Sequence, residues 1–228
     1  MSDAAINTEK LSTVLCPHCG AQFGGAHFCP RCGKIQPVAP GWDHFRFFDL
    51  PRKLRIDESE LEKSFHALSR QFHPDYFMGA SEGERQASME RSSMLNDAYR
   101  TLRDTVNRVS YLLKIEGYKE AEKKAPADLL EEVFELNMHI EQLKAAKKIG
   151  DEGEAAEVRS ELDDALASLQ EKLAGIDERL LGLSGEWDSA LDCSATTTER
   201  KVLLDPMSEL LSHRSYIRHL IHSIQEEL

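Results

Sequence analysis

Two pairs of cysteines carry the most specific chemistry in this chain. Cys16-Pro-His-Cys19 and Cys29-Pro-Arg-Cys32 give the spacing C-x2-C-x9-C-x2-C. Two residues between thiolates let a single turn deliver both sulfurs to one ion. Gly20 and Gly33 follow the two pairs, where such a turn needs a residue that tolerates positive φ. Two knuckles of this kind close a tetrahedral four-thiolate site, which suits Zn²⁺. His18 and His27 are near enough in sequence to compete as ligands, but four thiolates already saturate zinc. The expectation is a structural Zn²⁺ on Cys16, Cys19, Cys29 and Cys32, because a segment this short has no other core. The rival is a reactive or iron–sulfur-binding site, since sets of four cysteines also hold clusters. No adjacent base supports catalysis there. The fifth cysteine, Cys193, stands alone in a polar stretch and is assigned nothing.

The second constellation is His73-Pro74-Asp75. Proline pushes its predecessor out of the α region, so His73 must end whatever helix precedes it. Three uses fit such a tripeptide: a plain helix stop, a catalytic His/Asp pair, or a surface shown to a partner. The catalytic use is the weakest. Neighbours on a loop are not expected to hold one another as a dyad, and no nucleophile lies nearby in the sequence.

The elements that must position these residues are helical. Asp57, Glu58 and Glu60 crowd a helix start, where carboxylates suit the free N–H groups. Leu61, Phe65, Leu68 and Phe72 then form one apolar stripe that stops just before His73. Ser81 and Glu84 have the spacing of a capping box for the next helix, whose apolar face runs through Ala87, Leu95, Ala98, Tyr99 and Leu102. A shorter helix through Val109, Leu112 and Leu113 ends near Gly117. From residue 126 onward three long helical stretches keep steps of three and four. The first runs through Leu129, Val133, Leu136, Ile140 and Leu143. The second runs from Leu162 to Leu183, and the third from Leu203 to Leu228 with a gap at Arg214. Gly150 and Gly153 separate the first two, and the stretch from Gly182 to Thr198 separates the next two. The natural packing is a three-helix bundle. The Pro37–Gly41 cluster reads as a linker.

The chain has 228 residues and a formal charge of −12. Residues 1–120 balance 16 Lys/Arg against 16 Asp/Glu, whereas residues 121–228 hold 12 against 24. An acidic surface repels phosphate backbones, so the second half is poorly suited to nucleic acid and better suited to a protein partner with a basic patch. No apolar run is long enough to span a membrane. The first ten residues have neither the apolar core of a secretory signal nor the arginines of a transit peptide, so a cytoplasmic location is expected.

Residues 45–113 resemble the J-domain. The matching residues are Phe48-x-Leu50-Pro51, Leu61, Phe65, Leu68, Arg70, His73-Pro74-Asp75, Asn96-x-Ala98-Tyr99, Leu102 and Arg103-Asp104. Tyr111-Leu112-Leu113-x-x-x-Gly117 after Arg108, followed by the acidic helix Leu130–Asn137, narrows the likeness to the HscB family, the J-type co-chaperones of iron–sulfur cluster biogenesis. It covers nearly all of residues 42–228, and the four-cysteine module is similar to that of the family's eukaryotic members. The resemblance implies an all-α fold in three parts: a zinc module and linker over 1–40, a J-domain over 41–118, and a scaffold-binding three-helix bundle over 119–228. It implies no enzyme. His73, Pro74 and Asp75, with Arg70 and Lys63 on the preceding basic face, would meet a DnaK-type (HscA-like) chaperone and stimulate its ATPase. Leu130, Glu131, Phe134, Glu135, Met138 and Tyr216 would bind an IscU-like cluster scaffold. Leu130, Phe134 and Met138 form a second apolar stripe beside the one the bundle needs. Glu131, Met138 and Tyr76 depart from the residues usual in the family at their positions. The alternatives are a general J-protein for unfolded clients and a metal-dependent enzyme or redox protein.

Overall fold

The computed structural model describes residues 14–118 and 129–228. The expected start of the bundle at residues 126–128, the boundary at residue 119 and the first ten residues lie outside the described residues. Among the described residues the fold is all-α apart from one small hairpin, β1 (Val14–Leu15) against β2 (Gln22–Phe23), and an isolated bridge between Phe28 and Ile35. The chain gathers into two compact units. One holds the described residues up to Ile115 together with Ala190–Ser194, and the other holds those of Glu116–Ser189 and Ala195–Leu228.

In the first unit, helix α2 (Glu58–Phe72) begins where Asp57 accepts the Ser59 and Glu60 N–H groups at 2.9 and 3.1 Å. Its stripe buries Leu61 and Phe72 fully, while Phe65 stacks on Tyr99 of α3 with ring centroids 4.2 Å apart. Helix α3 (Glu82–Arg103) begins where Glu84 Oε2 accepts from the Ser81 backbone N–H at 3.3 Å and its hydroxyl at 2.8 Å. Its buried face is the expected one, with Ala87, Leu95, Ala98 and Leu102 inaccessible. Helix α4 (Thr105–Ile115) packs Val109, Leu112 and Leu113 inward and stops before Gly117, whose φ is +73°. A one-turn helix, α1 (His44–Phe47), was not legible in the sequence. It is capped by Asp43, which accepts from Arg46 N–H at 2.8 Å, and it buries Phe45 and Phe47 completely.

The Pro37–Gly41 segment, read as a linker from its composition, lies beside packed chain. Just before it, Ile35 and Gln36 are buried, and Val38 joins the hairpin core. The cause is Arg91, a fully buried residue of α3. Its guanidinium donates to the carbonyls of Gln36 at 2.5 Å, Pro37 at 3.0 Å and Ala26 at 3.3 Å, and meets His27 Nδ1. Burial, then the neighbouring Arg91, lowers the His27 pKa to about 4, so the ring is neutral and its Nε2–H donates to the Phe47 carbonyl at 3.0 Å. The same ring packs against Trp42, Phe47 and Phe72. Burial likewise lowers the Arg91 pKa, to about 10, which leaves the guanidinium charged at neutral pH. A buried charge persists only with acceptors around it, and these come from residues 26–37.

The second unit contains α5 (Leu130–Ile149), α6 (Glu152–Asp192) as far as Ser189, the short α7 (Thr197–Lys201) and α8 (Leu204–Glu227). Gly150 closes α5 in the left-handed region at φ +75°, and Asp151 then opens α6 by accepting from the Gly153 and Glu154 N–H groups. The break expected at Gly182 is absent, and α6 continues to Asp192. Glycine in a helix interior costs about 1 kcal/mol, which is small against what lies beyond it. Ser184, Trp187 and Asp188 are buried, and the Ser184 hydroxyl donates back to the Leu180 carbonyl at 2.7 Å. The gap at Arg214 in the apolar repeat of α8 also has a cause. Arg214 forms a forked pair with Asp177 of α6, its Nε and Nη2 at 2.6 and 3.3 Å from the two carboxylate oxygens.

Two glycine substitutions should therefore have opposite signs. A Cβ meets nothing within 4 Å at either Gly150 or Gly182, but only Gly150 has positive φ. Gly150→Ala should destabilise the chain by about 1 kcal/mol, and Gly182→Ala should stabilise it by about 0.5–1 kcal/mol. Urea denaturation curves of the two variants check both.

Candidate functional site

The turn after α2 follows from Pro74, which pushes His73 out of the α region. His73 leaves the helix at φ −58°, ψ 125°, and Pro74 starts a 3₁₀ turn, Pro74–Phe77. A carbonyl that would have bonded onward along the helix needs another donor. For Phe72 this comes from α3, where the Ser88 and Ser92 hydroxyls donate to its carbonyl at 2.6 and 3.0 Å. The turn itself projects outward, with the His73 side chain 52% and the Asp75 side chain 76% exposed.

The two side chains do face each other, contrary to the expectation for loop neighbours. Asp75 N–H donates to His73 Nδ1 at 3.3 Å, and Asp75 Oδ2 lies 3.5 Å from the same nitrogen. The tight turn brings residues i and i+2 to one side. Both groups are open to water. Tyr76 and Met78 flank it, each 73% exposed. On α2, Arg70 is exposed without an ion pair among the described residues. Lys63 is exposed too, but it is tied to Glu60 at 2.7 Å.

The four cysteine sulfurs lie within 4.8 Å of one another, with Cys16–Cys32 and Cys19–Cys29 each 3.7 Å apart. Each knuckle is held by its own backbone. Gly20 N–H donates to the Cys16 carbonyl and Gly33 N–H to the Cys29 carbonyl, both at 2.9 Å, and both glycines have φ near +70° as the sequence predicted. Burial pushes the Cys16 thiol up, but backbone bonds to Cys19 and His18 and the adjoining thiols outweigh it and bring the pKa down to about 6. At Cys32 a backbone bond to Lys34 favours the thiolate, yet burial and the three other sulfurs push the pKa up to about 12. Four such sulfurs cannot all ionise without a cation among them, so the donor set fits a thiophilic metal ion. His27 is no rival ligand, because both its ring nitrogens are engaged, with Phe47 and Arg91. His18 is exposed and outside the cluster.

On α5 the two apolar stripes separate by exposure. Leu129, Leu136 and Leu143 are buried, whereas Leu130, Phe134 and Met138 are 55%, 72% and 44% exposed. Glu131 is exposed one step round from Leu130, and Glu135 is exposed one step round from Phe134. Half-buried Tyr216 of α8 lines a cleft of about 160 Å³ with Val133, Asn137 and Ile140, the row of α5 next to the exposed stripe.

Sequence reasoning missed Arg91, Ser88, Ser92 and Lys34. For Arg91 a signal existed: it stands four residues after Ala87 and four before Leu95, on the buried stripe of α3. A charge at such a position signals a buried polar partner.

A helical hairpin that presents an exposed His-Pro-Asp turn defines the J-domain class of co-chaperone. The mouse iron–sulfur cluster co-chaperone protein HscB is 35% identical over 132 residues, 55% of this chain and 56% of that one. The match therefore spans little more than half the length of that relative. The co-chaperone protein HscB homolog of Burkholderia thailandensis is 34% identical over 131 residues, 55% of this chain and 74% of that one. The crystal structure of human co-chaperone protein HscB superposes with a TM-score of 0.64 at 24% identity, covering 93% of this chain and 98% of that one. Chaperone HscB from Vibrio cholerae gives 0.55 at 25%, covering 81% and 96%. No protein-family model matches the chain. This chain belongs to the HscB family of iron–sulfur cluster co-chaperones. Among the described residues, no helix is long and apolar enough to cross a membrane.

Metal loading should release protons. The Cys32 thiol is held protonated at neutral pH, with its pKa raised to about 12, and must ionise to bind. Binding is therefore favoured as pH rises and weakened as it falls. One Zn²⁺ should bind per chain with release of at least one proton, read with a pH indicator in weak buffer. Cys32→Ser should abolish stoichiometric binding, and His18→Ala should leave it intact.

Proposed function

We propose that this chain brings an IscU-like cluster scaffold to a DnaK-type, HscA-like chaperone and stimulates that chaperone's ATPase, promoting cluster transfer. It works by contact and catalyses no reaction of its own. The observation that carries the reading is the exposed His73–Pro74–Asp75 turn at the tip of a rigid hairpin. Pro74 fixes the backbone, Ser88 and Ser92 hold the carbonyl before it, and the imidazole and carboxylate stay open to a partner. Arg70 and Lys63 on the preceding helix supply positive charge that can steer encounter with an acidic chaperone surface.

The α5 face serves the other partner. Leu130, Phe134 and Met138 offer an apolar contact that the bundle does not use, with Glu131 and Glu135 beside it and Tyr216 at the neighbouring cleft. Apolar anchors with a charged border suit one folded protein surface. Division of labour follows the three expected segments. The four-cysteine module, with Zn²⁺ on Cys16, Cys19, Cys29 and Cys32, gives the first of them a fixed shape, and the cytoplasm is the expected setting.

The two contact sites should be separable. Asp75→Ala should abolish stimulation of chaperone ATP hydrolysis and leave scaffold binding unchanged in a pull-down. Leu130→Ala/Phe134→Ala should weaken scaffold binding at least tenfold and leave stimulation without scaffold unchanged. Stimulation retained in Asp75→Ala would overturn the assignment. Equal capture of many denatured chains by both proteins would favour a general J-protein.

A further inference from the structure

We propose that the four-cysteine module is a metal-dependent buttress of the His73–Pro74–Asp75 turn, and that Arg91 is the positioning residue through which metal occupancy reaches it. The proposal deepens the reading of that turn as the chaperone contact and rests on it.

The module touches both flanks of the turn. Before it, Phe72 is fully buried, and the rings of His27 and Phe28 lie 4.9 and 5.9 Å from it by centroid. After it, Lys34 reaches Glu84 at 2.9 Å, and that same carboxylate also holds Ser81 at the start of α3. These contacts come from the second knuckle and its borders. His27 stands two residues before Cys29, Lys34 stands two after Cys32, and the Lys34 carbonyl accepts from Cys29 N–H at 2.8 Å.

Arg91 joins these contacts to the turn. Every acceptor it uses lies in residues 26–37, the stretch that contains Cys29 and Cys32. That stretch is too short to hold a shape by burial alone, so the sulfur cluster and its ion set where the carbonyls stand. When the ion leaves, the acceptors drift and a fully buried guanidinium loses its partners. Such a charge cannot stay where it is. The helix turn that carries Arg91 also carries Ser88 and Ser92, whose hydroxyls hold the Phe72 carbonyl. Movement at Arg91 therefore acts on the last peptide before His73. The coupling runs through packed and hydrogen-bonded groups from end to end, without a gap.

Hydrogen exchange on the full chain tests this without using activity. Peptides covering residues 70–78 and 84–92 should exchange at least tenfold faster after Zn²⁺ is stripped with EDTA, and re-addition of Zn²⁺ should restore protection. Peptides of α5 and α8 should not change. Arg91→Met keeps all four thiolates, so it should retain one Zn²⁺ and still show the faster exchange at 70–78. Arg91→Lys, which cannot reproduce the fork, should not restore protection. Unchanged exchange at 70–78 on metal removal overturns the proposal, as does exchange that rises equally in α5 and α8. Should Arg91→Met fail to fold, the metal-removal comparison on the native chain decides alone. A zinc-loaded native chain that fails to stimulate the chaperone would overturn the functional reading, and the exchange result would still decide the buttress.

Discussion

The carbonyl of Phe72 is where this structure's problem is set. Proline at 74 pushes His73 out of the α region and stops α2, so the Phe72 carbonyl has no helical donor ahead of it and must find one elsewhere at the very point where the chain turns outward. Two serine hydroxyls from the facing helix do so, at 2.6 and 3.0 Å. With that carbonyl pinned, Pro74 begins the 3₁₀ turn in one orientation, and His73 and Asp75 extend into solvent from a fixed base. The hairpin core beneath, from Leu61 and Phe72 to Leu95, Ala98 and Leu102, keeps the two helices in register so that the serines arrive where they are needed.

The same turn of α3 solves a second problem. A module of two knuckles and a two-residue hairpin buries little apolar surface of its own, so its own core cannot hold it. Four sulfurs placed where they could hold one metal ion offer one restraint. Arg91 supplies another by entering the hairpin core and gathering carbonyls from residues 26–37. A guanidinium is suited to this because its planar fork serves several acceptors at once, which an ammonium cannot match. His27 completes the joint as a neutral ring, accepting from Arg91 on one side and donating to Phe47 on the other.

In the second unit the constraint is economy of apolar surface. A bundle helix needs one apolar stripe, and α5 carries two. Leu129, Leu136 and Leu143 fill the interior, while Phe134 remains 72% exposed beside the exposed Glu135. Isolated exposed leucines are ordinary, but three large apolar side chains at steps of four form a patch of the kind that marks interaction sites. The bundle also accommodates irregularities. Arg214 interrupts the repeat of α8 because Asp177 meets it, and α6 runs through Gly182 because Trp187 beyond it is buried.

Much of this was legible in residue order, because the signals concerned are local. The caps at Asp57 and at Ser81 with Glu84, the glycine turns after each cysteine pair, the stripe ending at Phe72 and the two-sided face of α5 depend on spacing within a few residues. Spacing is what a helix or a tight turn converts directly into geometry. The sequence by itself determined the long helices apart from the extent of α6, the four-cysteine cluster and the place of the turn. What only the tertiary structure decided involves partners far apart in the chain. The burial of Ile35 and Gln36, the pairing of Arg91 with residues 26–37, the serines on Phe72, the His73–Asp75 contact and the continuation of α6 past Gly182 are all of this kind. Their outcome is set by which buried polar group finds a donor or an acceptor across the core, and that choice is made only once the helices have packed.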